Sequence, residues 1–349
     1  MKNGINVLSL FDGLACGNIA LEKAGIKVNN YYASEIDKYA IQIANKNYPN
    51  IIQLGDVTKF DETKLPKIDL LIGGSPCQGF SFAGKQLNFD DPRSKLFFVY
   101  VYMLKQLKPK YFLLENVRMS KQSQDVISEH LGVQPIKINS SLVSAQNRVR
   151  LYWTNIPNVT QPKDKNLKLK DILEIDGYVD RDKSHCLDAN YFKGGNLKSY
   201  FEKHRRQLVF SDNGLCHVGD ADLKANQSTK RVYHPDGKAP TLTTMGGGHR
   251  EPKVFCGALR GRYKANGKIQ QQLELRKDSK TNSLTTVQKD NVVVKEEQLT
   301  YRKLTPLECE RLQTIPDEYT SGVSNSQRYR MLGNSWTSDI IAHLFKGIK

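Results

Sequence analysis

The sequence predicts an α/β protein: a doubly wound, mostly parallel sheet joined to a smaller, loop-rich β module. Three observations predict it. Strand-like apolar runs alternate with helical patterns through the first 157 residues. One such run, Ile68-Asp69-Leu70-Leu71-Ile72, stops at Gly73-Gly74, as a buried parallel strand does where a site loop begins. The regular pattern then lapses over 158–300 and returns at Tyr301.

In chain order, the strand expectations are Ile5–Phe11, Val28–Ile36, Ile51–Val57, Ile68–Gly73, Tyr111–Val117, Gln134–Asn139 and Leu151–Asn155. Helical patterns fall between them at Asn18–Ala24, Asp37–Asn47, Ser94–Leu107 and Gln122–Leu131. Gly25 and Gly132 stand where a helix end favours positive φ. These elements, residues 1–157, make the first predicted domain.

Residues 158–300 are rich in Gly, Asn, Lys and Asp, with short β-like runs at Lys253–Cys256 and Asn291–Val294. His185–Ala189, Pro240–Thr244 and Asn282–Thr286 are weakly alike, which suggests repeated strand-turn units. Residues 301–349 regain order. Thr305-Pro306-Leu307-Glu308 is a capping box with proline at the first helical position. A short helix over Ser326–Leu332 is expected to end at Gly333, and an amphipathic one covers Trp336–Lys346. This last segment is too small to fold alone, so it should pack back onto the first domain.

A chain of 349 residues, 39% of them hydrophobic, supports one large domain and a smaller one. No apolar run approaches the ~20 residues that span a bilayer. The opening Met1-Lys2-Asn3-Gly4 leads straight into a strand, so no signal peptide is expected. The six cysteines (Cys16, Cys77, Cys186, Cys216, Cys256, Cys309) lack the Cys-x-x-Cys spacing of zinc sites, and they fit a reducing cytoplasm rather than a disulfide framework. His185-Cys186 and Cys216-His217 find no second ligand pair, so no metal site is expected. The net charge is +16, and half of that excess lies in residues 153–300. A polyanion partner explains it, and so does a solvated lysine-rich surface.

The chemistry-bearing residues fall at strand ends. Pro76-Cys77 follows the glycines after Ile72, a place for a nucleophilic thiol or a buried one. Phe11-Asp12-Gly13-Leu14 follows the first strand, without the glycine spacing of dinucleotide enzymes. Glu35 ends the second and can accept from ribose hydroxyls, while Asp56 ends the third and can accept from an adenine amine. Acidic groups so placed suit a nucleoside without phosphates, although each also reads as a helix N-cap. Glu115-Asn116-Val117 ends the next strand, and Gln146-x-Arg148-x-Arg150 precedes the last. In a doubly wound sheet all of these share one rim, and agreement among that many sites favours a functional reading over chance.

With Arg302-x-Leu304-Thr305-Pro306-x-Glu308-x-x-Arg311-Leu312-Gln313 and Gly333-Asn334-Ser335, this ordered set resembles the DNA (cytosine-5)-methyltransferase family, over nearly the whole chain except its middle. The first motif, Ser75 and Trp336 depart from the bacterial pattern and are similar to the animal de novo branch. The resemblance implies a methyltransferase fold that binds S-adenosyl-L-methionine and releases S-adenosyl-L-homocysteine. It implies that Phe11, Asp12, Gly13, Leu14, Glu35, Ile36, Asp56, Val57, Pro76, Leu96, Asn334, Ser335 and Trp336 hold that cofactor. Cys77 would add to carbon 6 of a cytosine swung out of the duplex. Glu115 would hold or donate a proton at N3, Arg150 would contact O2, and Arg148 would brace Glu115 or the loop.

By the same resemblance, Phe80–Lys95, with Ser81, Lys85 and Arg93, is a mobile catalytic loop. The 158–300 segment is a target-recognition domain in which Thr241-Leu242 matches a family signature and Ser283-Leu284 competes for the role. His249-Arg250 and Arg260-Gly261-Arg262 are expected in loops that read double-stranded DNA. The enzyme would work as a monomer in a bacterial or phage-infected cytoplasm, at the nucleoid. It would be either an orphan or the partner of a separately acting restriction endonuclease. RNA as substrate and a non-catalytic DNA-binding role are the competing readings; the large basic insert opposes the first, and joint retention of Cys77, Glu115, Arg148 and Arg150 opposes the second.

Overall fold

Seven strands form one sheet in the order β3-β2-β1-β4-β5-β7-β6. They are β1 (Ile5–Leu10), β2 (Val28–Ser34), β3 (Ile52–Gln53), β4 (Leu70–Gly73), β5 (Tyr111–Val117), β6 (Ile136–Asn139) and β7 (Val149–Thr154). Helices α1 (Cys16–Lys23), α2 (Lys38–Asn47), α3 (Pro92–Leu107) and α4 (Lys121–Leu131) connect them, and α5 (Pro306–Leu312), α6 (Asn325–Asn334) and α7 (Ser338–Phe345) follow. The computed structural model describes residues 4–75, 92–175, 177, 179–195, 200, 203–210 and 301–349, together with the strands 217–220, 231–233, 256–263, 269–276 and 291–293.

Strands β1 to β5 run parallel, and β7 runs antiparallel to both β5 and β6. The chain lays β2 and β3 on one side of β1 and β4 and β5 on the other. The order therefore reverses between β1 and β4, where their carboxyl ends open a crevice. The register pairs Leu10 with both Ser34 and Gly73, and Gly73 with Leu114. Residues 11, 35 and 74 thus leave the sheet at one rim, level with Glu115 of β5.

The apolar runs are buried on both faces, as a covered parallel sheet requires. Val7, Leu70 and Ile72 join Ile340, Ile341, Leu344 and Phe345 of α7 in one cluster. Leu8, Leu10 and Leu71 join Phe97, Tyr100 and Trp153 in the other. Gly25 and Gly132 take φ of 70° at the ends of α1 and α4, where an L side chain would be strained.

Three local expectations need correction. The third strand is only two residues long, because Gly55 turns with φ 73° and Asp56 accepts from Thr58. Gly333 does not end its helix but lies inside α6. A Cβ there would meet the Asp188 carbonyl carbon at 2.2 Å, so glycine serves close backbone approach, not a left-handed turn. Arg260 and Arg262 lie in a strand, Cys256–Tyr263, rather than in a loop. That strand pairs antiparallel with Ile269–Arg276, placing Arg260 opposite Gln272 and Arg262 opposite Gln270.

Two compact units emerge: residues 1–175, 179–208 and 303–349, and residues 176–178 and 209–302. The first unit runs well past residue 157 because Ser184 bonds by backbone to Ala145 at 2.7 Å and to Asn147 at 2.9 Å. Leu169, Leu187, Tyr191 and Tyr200 are buried within it. Besides the long hairpin, the second unit pairs Asn291–Val293 with the 256–258 strand end, and His217–Asp220 with Arg231–Tyr233.

Candidate active site

A cleft of about 430 Å³ opens at the carboxyl ends of β1, β2, β4 and β5. On one side the chain leaves β1 through Phe11, Gly13 and Ala15 with φ of 58°, 62° and 61°. Left-handed backbone at Phe11 and Ala15 is strained, a feature that clusters at functional sites. Ala15 gives α1 no side-chain cap, and its first turn carries no acidic residue. The amide end of α1 is consequently open to an anionic group.

Glu35 ties two strand tails together. Its Oε2 accepts from the Gly13 amide at 2.9 Å, and Oε1 accepts from the Ile36 and Asp37 amides at 2.8 Å. Beside it, Ile36 is 76% exposed, a large apolar surface left at the rim. Asp12 is half-buried at the cleft floor. Its Oδ1 accepts from the Tyr31 hydroxyl at 2.6 Å, while Oδ2 is buried without a hydrogen-bond partner. Burial pushes this carboxyl up to about 6; Ser9 and the Ala15 amide temper the rise without making a hydrogen bond of normal geometry.

On the other side, Glu115 at the end of β5 forms an ion pair with Arg150 of β7, Nε to Oε1 at 2.9 Å. Antiparallel pairing of β5 with β7 brings these strand ends together. The Trp336 indole donates to the second oxygen, Oε2, at 3.1 Å. Gly74 fits closely beneath them: a Cβ there would lie 3.0 Å from Trp336 Nε1 and 3.2 Å from Glu115 Oε2, near enough to push on both. Asn116, buried, reaches the Ser75 carbonyl at 3.4 Å and so steadies the chain just before Pro76.

Of the two expectations for Arg148, its hydrogen bonds do not make a brace on Glu115, and most of the catalytic loop lies outside the described residues. The buried Arg148 guanidinium donates to the carbonyls of Leu187 at 2.8 Å, Gly333 at 3.2 Å and Ser335 at 2.8 Å. None of its hydrogen bonds goes to Glu115; that carboxylate is braced by Arg150 instead. Arg148 is a clamp on the 333–335 backbone. Gln146 extends the clamp, donating to the Leu312 carbonyl at 2.6 Å and to Gln313 at 3.0 Å, and Gln313 in turn donates to the Leu332 carbonyl at 2.7 Å.

The cleft brings together Phe11, Asp12, Gly13, Leu14, Glu35, Glu115, Arg148, Arg150, Asn334, Ser335 and Trp336. Four expected cofactor contacts among the described residues are not among its lining: Ile36, which stands exposed at the rim, and three others. Asp56 accepts from the Thr58 amide and hydroxyl, Val57 is buried in the second apolar cluster, and Leu96 packs against that cluster. Conversely, Cys16, Asp37, Ala40, Arg330 and Met331 line the cleft without having been singled out as ligands. Asp37 caps α2 and stands two positions after Glu35, which was the available signal; the others carry none.

Pro76, Cys77, Ser81, Lys85, Thr241, Leu242, His249 and Arg250 lie outside the described residues, and Arg93, Arg260 and Arg262 are described by backbone alone. Among the described residues, no cluster of His, Cys, Asp or Glu could hold a metal ion, and no helix is long and apolar enough to cross a membrane.

A seven-stranded sheet of this order, with its cleft at the β1/β4 switch point, is the S-adenosyl-L-methionine-dependent methyltransferase fold. A methyltransferase from Entamoeba histolytica shares it, with a TM-score of 0.61 at 16% identity over 99% of both chains. So does a putative prophage DNA modification methyltransferase from E. coli, with a TM-score of 0.55 at 20% identity over 99% of this chain and 98% of the other. More narrowly, the C-5 cytosine-specific DNA methylase family matches residues 5–349, and the chain belongs to that family. An orphan methyltransferase of Bacillus phage rho11s is 29% identical over 98% of this chain and 97% of its own length. The type II methyltransferase M.HhaI of Haemophilus parahaemolyticus is 27% identical over 98% of this chain and 93% of its own.

Proposed function

We propose that this protein methylates carbon 5 of a cytosine extruded from a specific duplex DNA sequence, through a transient bond from Cys77 to carbon 6. The observation that carries the reading is the double character of the cleft. One wall offers the fixed carboxylate of Glu35, the unpartnered Oδ2 of Asp12 and the open amide end of α1. The opposite wall offers the Glu115–Arg150 pair, next to the backbone that leads into Pro76-Cys77.

The first wall fits S-adenosyl-L-methionine. A buried carboxylate oxygen lacking a partner calls for a cation such as the cofactor's ammonium. The amide end of α1 suits its carboxylate, Glu35 its ribose hydroxyls and exposed Ile36 the face of its adenine. When bound, that group supplies a methyl on a sulfonium, an electrophile.

Cytosine carbon 5 is a poor nucleophile until the ring becomes an enamine. Addition of the Cys77 thiolate to carbon 6 makes it one. Glu115 shares a proton with ring N3, so negative charge does not build up on the base, and Arg150, held by Glu115, faces O2. Once carbon 5 carries the methyl, loss of its proton and β-elimination free the thiolate. Stacked DNA forbids this approach, so the base must leave the helix. Arginines and lysines of 209–302 would read and hold the duplex. With phage and bacterial relatives, the enzyme acts on nucleoid DNA in the cytoplasm, with or without a cognate endonuclease.

Duplexes carrying 5-fluorocytosine test this directly, because fluorine blocks the elimination. The wild type should become covalently linked to them in the presence of cofactor, and Cys77→Ala should not link while still binding DNA. Linkage by Cys77→Ala would remove the thiol from the mechanism. Bisulfite sequencing of host DNA would identify the modified motif.

A further inference from the structure

Trp336 occupies a place in the cleft that cofactor binding alone does not explain. Its indole N–H points at Glu115 Oε2 at 3.1 Å, on the side of the carboxylate opposite Arg150. Both oxygens of Glu115 are thereby fixed by donors from two separate segments, β7 and the chain after α6. That second segment is itself clamped, since Arg148, the residue just before β7, holds the carbonyls of Gly333 and Ser335. The contacts close a ring: Arg148 grips the backbone that carries Trp336, Trp336 grips Glu115, and Glu115 grips Arg150, two residues on from Arg148. Gly74 lies under the contact, where an added methyl would press on both groups.

We propose that Trp336 is a positioning residue for Glu115, linking the cofactor-binding 333–335 backbone to the carboxylate that meets the cytosine ring. The inference rests on the reading of Glu115 given above. A carboxylate held from one side only can rotate about its last bond, and placing an acid at N3 requires that rotation to be stopped. A neutral indole donor stops it without adding a second positive charge beside Arg150. The chain spends an exposed-edge aromatic on this contact: Trp336 is only partly buried, though it packs against the α7 cluster.

Steady-state methylation of the mapped target duplex tests it, with Trp336→Phe keeping an aromatic ring while losing the N–H donor along with the five-membered half of the indole. The expected result is a fall in kcat of roughly tenfold, the scale of one hydrogen bond to a charged group, with KM for S-adenosyl-L-methionine changed less than about threefold. Gly74→Ala attacks the same contact from below with Trp336 intact, because its methyl would lie 3.0 Å from one atom and 3.2 Å from the other. It should lower kcat in the same direction, so the inference does not depend on the stability of the tryptophan variant. A kcat within about twofold of wild type in either variant overturns the inference, and so does an effect carried wholly by cofactor KM. Failure of the wild type to methylate any cytosine would overturn the functional reading instead, and is seen before any variant is made.

Discussion

Replacing Arg148 by Met keeps most of the buried stem and removes every donor. In the structure those donors satisfy three carbonyls, of Leu187, Gly333 and Ser335, in a residue only 4% exposed. A hydrogen bond from a charged donor contributes about 1.5–3 kcal/mol, and each buried carbonyl left bare costs about 1–3 kcal/mol. Against that, the wild type bears the desolvation of a buried guanidinium, several kcal/mol, which Met escapes. With three carbonyls left bare at about 1–3 kcal/mol each and the desolvation of the guanidinium returned, the balance is a loss of about 3–5 kcal/mol. At about 2–4 °C per kcal/mol for a unit of this size, the melting temperature should fall by about 6–20 °C. Arg148→Lys, a point donor that cannot reach three diverging carbonyls, should lose about half as much. Thermal and urea unfolding followed by circular dichroism give both numbers. A folded Arg148→Met enzyme melting within about 2 °C of wild type, yet inactive, would refute the clamp and make Arg148 a group that touches substrate.

Asp12 gives a pH-dependent prediction. Burial holds its carboxyl at about 6 against an ordinary 3.8, so the folded protein binds that proton more tightly than the unfolded chain. Stability from this group is therefore greatest below the unfolded value and declines as pH rises through 6, leaving a cost of about 3 kcal/mol at neutral pH. Asp12→Asn should raise unfolding free energy near pH 8, gain little near pH 4 and weaken cofactor binding; equal gains at both pH values would refute the burial argument. Gly333→Ala should destabilise by at least about 1–3 kcal/mol because the Asp188 backbone is fixed across it, and an unchanged melting temperature would mean that the two segments part easily. Glu115→Gln should cut kcat by orders of magnitude with little change in DNA affinity; single-turnover kinetics that match wild type would remove Glu115 from the chemistry.

Much of the fold was legible because its signals are local. Each central strand is a short apolar run that no helix of that length could use, and each is found within a few residues of its expected place. Gly25, Gly132 and the Thr305–Glu308 capping box are equally local, depending on φ or on one turn of backbone. Expectations slipped where a residue serves a distant neighbour. Gly333 resembles a helix end, but residue 188 passes over it. His185-Cys186-Leu187 resembles a repeat of the middle segment, yet Ser184 and Leu187 are bonded to Ala145, Asn147 and Arg148 of the first unit.

For the site, residue types at strand ends were enough to mark groups that share one rim, since a sheet of this class delivers those ends there whatever its details. The partners of each group were not specified by spacing. That Arg150 rather than Arg148 meets Glu115, that Arg148 clamps the chain after α6, and that Trp336 donates to Glu115 all depend on contacts between segments up to 221 positions apart. A sequence carries short-range periodicity and composition directly; which carbonyl a buried guanidinium finds is decided only when the whole core has closed around it.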